Sequence, residues 1–514
     1  MSSWLDCCEA FACERGLAES EVEALVSVLV SFRSPDPRGG PPPPPEPNFE
    51  GDFAALEREL AGALEIERIA AALQGEVDED QARMFGRRLA SVDQALTLDE
   101  PSERVLRVGL RMRARGIAAS SGVRALRLRA LADFYYSQHA RLRHRAQAGS
   151  APALVELLGD LAWRELEPGL EFATIHERCA EGPVSVNLLR ADPSQVEFVA
   201  RDCRAEADRG RSFAAIVQEA GASAGVSGGF FLYSEPDIEA PCARFDPVGL
   251  LLTPGVPLRH PPVFRRGSVL VSDNGGVEID ALGLEGVELE LGQRRVVAHD
   301  VVNRARARQG PARPSVAIVG DRVVAWGESL PVPLNGFVLA LTDPEPIAVG
   351  EQVRYGPLRS ASGQRLVSGI AGGPMLVREG RAVLDMRGED FWGSAPPVTF
   401  SQDETGDQNC LPRLAAGLDG DGRLVLAAID GRNLERAIGM TLGEVAAMMI
   451  GLGCVVATNL DGGSSKRMVV EGRSVDLATT EVVVGRAAGP QRVRTGLLLF
   501  AGRNRARHAA IDQP

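Results

Sequence analysis

Between Arg423 and Met468 two apolar runs, Leu424–Ile429 and Cys454–Leu460, each break at an Asp-Gly turn and are joined by a helical stretch. Short, nearly all-apolar runs that stop at such turns predict strands buried on both faces. Thr441 followed three residues later by Glu444 predicts a capped helix start. Val445, Ala446, Met448, Met449 and Leu452 supply an apolar face, and Gly451 and Gly453 end the helix. Strand, helix, strand predicts a right-handed crossover between parallel strands.

If those strands lie side by side, both turns leave the same edge of the sheet, where open α/β sheets bind ligands. Asp430 and Asp461 then face one another. One strand spacing of about 4.8 Å places their carboxylates within the roughly 5–10 Å used by paired acids in glycoside cleavage. Arg432 follows Asp430 by two residues, and Gly462, Gly463, Ser464 and Ser465 can turn backbone N–H groups toward an anion. Paired acids beside an anion-binding turn point to a sugar joined to phosphate. The alternative is that each Asp-Gly is only a common turn.

Composition narrows the setting. With 514 residues, 45% hydrophobic and 24% charged, the chain is long enough for more than one domain. No apolar run approaches the ~20 residues of a membrane span, and the start MSSWLDCCEAFACERG lacks a signal-peptide pattern, so no membrane association and a cytoplasmic location are expected. Eight scattered cysteines predict reduced thiols. No metal is expected from ligand spacing and no cofactor is predicted, although Asp-rich turns offer oxygen ligands to Ca²⁺ or Mg²⁺. A net charge of −13 argues against general nucleic-acid binding. Lys466 is the only lysine, so the basic charge is otherwise all arginine.

Five segments are expected along the chain: short helices over 1–33, a Pro-rich linker over 34–49, an α-helical, Arg-rich domain over 50–165, a larger domain over 166–505, and a tail over 506–514. The linker holds SPDPRGGPPPPPEPN, which favours extended polyproline geometry. Arg104 to Arg145 includes eleven arginines. Solvated helix faces are the simplest account of that run. A protein-docking or self-association module over 50–165 is the functional one, with nucleic-acid binding the weaker choice.

From about Phe172 the texture changes to short β-prone runs such as VSVNLLRA, SVLVSD, SVAIVG and FVLAL, separated by Gly and Pro turns. The expected fold class is therefore α+β. It comprises a C-terminal mixed β-sheet domain with packed helices and a closing βαβ unit, preceded by an α-helical N-terminal region. Gly228-Gly229-Phe230 and Gly372-Gly373 read either as places where backbone approaches a ligand or as bulges and tight turns.

In order along the chain stand SGGFF (227–231), NGFVLAL (335–341), AGGPMLVREGR (371–381), PRLAAG (412–417), IDGR (429–432), GMTLGE (439–444) and NLDGGSS (459–465). In this order, over residues 183 to 500, the chain resembles the phosphodiester glycosidase family. The resemblance implies hydrolysis of the bond between a sugar's anomeric carbon and a phosphodiester, with a sugar phosphodiester or nucleotide sugar as substrate. It assigns Asp461 and Asp430 to acid/base or nucleophile roles, in no fixed order. Arg413 and Arg432 are suited to the phosphate. Ser227, Gly228, Gly229, Phe230, Gly372, Gly373, Asn459, Gly462, Gly463, Ser464 and Ser465 form the implied pocket. The chain departs from the family pattern at Ser227 (Asn), Leu414 (Thr), Ser464 (Gly) and Thr495 (Asn). Those departures leave a second reading beside the hydrolase, a catalytically silent phosphoglycan- or nucleotide-binding domain coupled to a helical partner-binding module.

Overall fold

Both apolar runs form strands, but they are not neighbours. The computed structural model describes residues 151–502, apart from 181, 233–237, 239, 344, 387, 392–409, 432–435, 478–480, 484–485 and 489–491. The expected segments 1–33 and 34–49, the arginine run and the tail lie outside the described residues, as does nearly all of 50–165.

From its start the described chain forms α1 (Leu154–Leu157), β1 (Arg164–Glu167), β2 (Leu170–Cys179), β3 (Gly182–Ala191), β4 (Glu197–Asp202), α2 (Arg204–Asp208), α3 (Phe213–Glu219) and β5 (Ala224–Ser227). Residues 251–355 then build the greater part of three small sheets. The chain returns as β6 (Leu366–Ala371), β7 (Met375–Arg378), β8 (Arg381–Ala382), β9 (Arg413–Asp419) and β10 (Leu424–Ile429). It closes with α4 (Leu442–Gly451), β11 (Cys454–Leu460), β12 (Met468–Val470), β13 (Arg473–Ser474) and β14 (Thr495–Phe500).

The expected α+β class is overturned. Among the described residues, 26 strands stand against four α-helices, the longest of ten residues. Every strand pairing there is antiparallel. The helical N-terminal region is likewise not seen: where 50–165 enters the described residues it holds only α1, one 3₁₀ turn and the start of β1.

The main sheet runs β1-β2-β3-β10-β9-β11-β7-β8. The expected side-by-side βαβ unit fails because β9 lies between β10 and β11, antiparallel to both. α4 still connects two strands of like direction, now one strand apart. The misreading has a physical cause. An all-apolar strand signals burial on both faces, and an antiparallel sheet between two layers has that environment as readily as a parallel one.

Both faces of β10 are buried. Val425, Ala427 and Ile429 enter one core with Leu442, Val445, Met448 and Met449 of α4. Leu424, Leu426 and Ala428 enter the other, against Val226 of β5 and Leu497 and Leu499 of β14. The second core separates the main sheet from a five-stranded sheet, β13-β12-β5-β14-β4. α3 covers the far side of that sheet through Phe213, Ile216 and Val217 on Leu498 and Phe500. The α4 start is the predicted capping box: Thr441 Oγ1 accepts from Glu444 N at 3.2 Å, and Glu444 Oε2 accepts from Thr441 N at 2.9 Å.

Arg204 of α2 pins the loops beside the five-stranded sheet. Its Nη1 donates to Asp246 at 2.6 Å, and its Nη2 donates to Asp202 at 2.7 Å and to His260 Nε2 at 2.8 Å. Burial, then the Arg204 charge, pushes His260 from 6.5 down to about 4, with Arg259, Asp202 and Asp321 also facing it. The unfolded chain therefore takes up a proton at this histidine as pH falls below 6.5, while the folded chain does so only near 4. Stability is lost across that window, by roughly 3 kcal/mol at its end. Comparing urea midpoints at pH 7 and 4.5 for wild type and His260→Gln should show a smaller fall for the variant.

Candidate functional site

Four strand ends meet four strand starts around the two Asp-Gly turns. β5 ends at Ser227, β6 at Ala371, β10 at Ile429 and β11 at Leu460. β7, β9, β12 and β14 begin at Met375, Arg413, Met468 and Thr495. Backbone bonds lace them together. Asp461 N donates to Gly228 O at 2.9 Å, Gly228 N to Thr495 O at 2.8 Å, Gly373 N to Asn459 O at 2.7 Å and Gly463 N to Pro412 O at 2.9 Å. Asn459 Nδ2 adds a bond to Gly373 O at 2.9 Å.

This lacing explains most of the glycines. A Cβ at Gly229 would stand 2.1 Å from Ala371 O, at Gly372 2.3 Å from Asn459 O, and at Gly228 2.0 Å from the Ile370 side chain. Three chain segments pass too close for any side chain. Gly463 differs: its φ is +60° and the space over it is open. Of the glycines expected to approach a ligand, 463 has room to do so, whereas 228, 229 and 372 serve contact between strands.

The two aspartates occupy unlike environments. Asp430 is 1% exposed, and its carboxylate is filled by protein donors. Ser185 Oγ donates to Oδ2 at 2.5 Å, while Leu477 N, at 2.9 Å, and the Lys466 ammonium donate to Oδ1. With its proton committed to Asp430, the Ser185 oxygen accepts from His176 Nδ1–H at 3.1 Å, so the network reaches an exposed side chain. Asp461 is only half-buried, and Ser465 Oγ donates to its Oδ2 at 2.5 Å. With β9 between their strands, the turns stand two strand spacings apart, about 10 Å, rather than one.

Arg413 opens β9 between the two turns, is 5% exposed, and donates from Nε to Met440 O at 3.1 Å. Arg432 lies outside the described residues. Phe230 packs edge-on to Phe391 at 6.2 Å between ring centroids. The departures from the family pattern are internal. Ser227 Oγ accepts from Arg467 N at 2.9 Å, and Thr495 Oγ1 accepts from Gly229 N at 3.0 Å. Leu414 pairs with Leu460 in the second core, and Ser464 is buried.

Ser185, Lys466 and Asp476 were not expected in the site. Ser185 sits in an apolar run 245 residues from Asp430, so only the fold joins them. Lys466 did carry a signal, as the sole lysine beside the NLDGGSS turn. Asp476 carried none.

Residues 330–500 match the sequence model of the phosphodiester glycosidase family. Those residues, a third of the chain, carry the match to that family. Over 65 residues the chain is 40% identical to the SPbeta prophage-derived uncharacterized protein YomE of Bacillus subtilis (strain 168), covering 13% of this chain and 10% of that protein. The chain thus spans a tenth of that relative's length. Among solved structures it is similar to a hypothetical protein from Synechocystis, with 19% identity over 66% of this chain and 64% of that one, TM-score 0.43. A further similar structure is the zebrafish N-acetylglucosamine-1-phosphodiester alpha-N-acetylglucosaminidase catalytic domain auto-inhibited by pro-peptide, with 14% identity over 69% and 87%, TM-score 0.37. The segment matching the phosphodiester glycosidase family holds Asp430, Asp461, Lys466 and Gly372–Gly373, whereas β3 and β5, which bring Ser185 and Gly228, precede it.

Proposed function

We propose that the phosphodiester glycosidase domain hydrolyses the bond between a sugar's anomeric carbon and a phosphodiester oxygen, with Asp461 at the reacting centre and Asp430 as its buried support. One observation carries the division of labour: of the two aspartates at the converging strand ends, Asp430 is buried and Asp461 is partly exposed. Cleavage passes through an oxocarbenium-like state, which an ionised carboxylate stabilises or captures. A phosphodiester leaves readily as its own anion, so a strong proton donor is not demanded of the site. The Ser465 hydroxyl donates to Asp461 Oδ2 and orients that carboxylate. The open turn at Gly463 gives the anion a place to approach.

The test is hydrolysis of a panel of sugar 1-phosphodiesters and nucleotide sugars by the full chain in ¹⁸O-water. Turnover that places ¹⁸O in the released sugar supports the reading. Label in the phosphate means P–O cleavage and overturns it, as does the absence of turnover; binding without turnover would favour a silent binding domain.

A further inference from the structure

Lys466 is the only lysine among 514 residues, and it is 0% exposed. Its ammonium donates to Asp430 Oδ1 and, at 3.1 Å, to Asp476 Oδ2. Asp476 Oδ1 in turn accepts from Met468 N at 2.7 Å, and Leu477 N donates to Asp430. The ammonium thus ties the end of β10, the start of β12 and the segment at Asp476 into one knot. The knot reaches solvent through His176, by way of Ser185, and through the partly buried Arg467, whose Nη1 lies 3.7 Å from Asp476 Oδ2.

The other side of Lys466 is the site. Ser465, the preceding residue, holds Asp461, and the turn between them is short: Gly462, Gly463 and Ser464. Gly463 N is fixed on Pro412 O at 2.9 Å, and the Lys466 carbonyl accepts from Arg467 Nη1. A turn of five residues anchored at both ends has little freedom, so the ammonium's position sets that of the Ser465 hydroxyl and, through it, the Asp461 carboxylate. Burying two carboxylates around one lysine costs several kcal/mol of desolvation per ion before pairing offsets it. An apolar side chain of similar length would fill the space without that cost.

We propose that Lys466 is a positioning residue for Asp461, acting through the Asp461–Lys466 turn that it pins to Asp430 and Asp476. The proposal rests on the reading of Asp461 as the carboxylate at the reacting centre. Geometry of this kind matters because a displacement of about 1 Å at a reacting group costs on the order of 10²-fold in rate.

Three full-length proteins separate positioning from charge balance: wild type, Lys466→Met, and the neutral triple variant Asp430→Asn/Lys466→Met/Asp476→Asn. Positioning predicts that Lys466→Met lowers kcat at least 30-fold with KM within threefold. It predicts that the triple variant recovers the wild-type melting temperature to within a few degrees while kcat stays at least tenfold down. An unchanged kcat in Lys466→Met, or full recovery of kcat in the triple variant, overturns the proposal. The single lysine supplies a second measurement that needs no turnover and no variant at 466. Lysine-selective ¹⁵N labelling gives one side-chain Nζ resonance, and Asp461→Asn, which removes the charge that Ser465 holds, is expected to shift it through the same turn. An unmoved resonance overturns the proposal; a wild type that hydrolyses nothing while its Nζ signal responds to Asp461→Asn overturns the functional reading alone.

Discussion

Asp461→Asn is expected to lower kcat on a cleavable sugar phosphodiester by roughly 10²–10⁴-fold, the range for removing a carboxylate engaged in the transition state, while the melting temperature moves by no more than about 2 °C. The two halves of this expectation have separate causes. Asn presents the same oxygen to Ser465 Oγ, now 2.5 Å from Asp461 Oδ2, and the backbone bond from residue 461 to Gly228 O is independent of the side chain. The backbone bond and an acceptor for Ser465 both remain. What disappears, on the proposed function, is the negative charge that would face the anomeric carbon as positive charge develops there. Steady-state kinetics together with a thermal melt check both halves. A variant with wild-type kcat would remove Asp461 from the reaction, and one that has lost its cooperative melt would make it a structural residue like Asp430.

Local chemistry was legible in the sequence where it depends on neighbours in the chain. The capping box at Thr441 and Glu444, the strands at 424–429 and 454–460, and the turns that end them all follow from residues a few positions apart. The sheet order does not. β9 contains Gly417 and two alanines in PRLAAG, so its run carries weak strand character, yet it is the strand that separates Asp430 from Asp461. Its insertion turns an expected parallel pair into an antiparallel trio and doubles the spacing between the acid turns. The glycine pairs show the same limit. Gly228-Gly229 and Gly372 are needed because β5, β6, β11 and β14 crowd one another, and no sequence pattern distinguishes that need from ligand approach. Ser185 and Asp430 illustrate it most sharply, since a buried hydrogen bond between residues 245 positions apart leaves no local trace.

Asp430→Ala should be the most destabilising single change in the site, costing about 3–5 kcal/mol, the range for breaking a buried ion pair by deleting one partner. Three donors lose their acceptor together: the Ser185 hydroxyl, Leu477 N and the Lys466 ammonium. The ammonium is the costly one. Asp476 remains to it at 3.1 Å, but that carboxylate is already shared with Met468 N and lies 3.7 Å from Arg467 Nη1. Lys466 is 0% exposed, so bulk solvent does not replace the lost acceptor. Asp430→Asn keeps an oxygen for Ser185 or Leu477 and should cost less, so urea unfolding of the two variants separates loss of charge from loss of every acceptor. If Asp430→Ala and Asp430→Asn unfold alike, and both near wild type, the knot around Lys466 contributes nothing to stability. The buried aspartate would then have to be retained for the reaction itself, a role its three protein donors leave little room for.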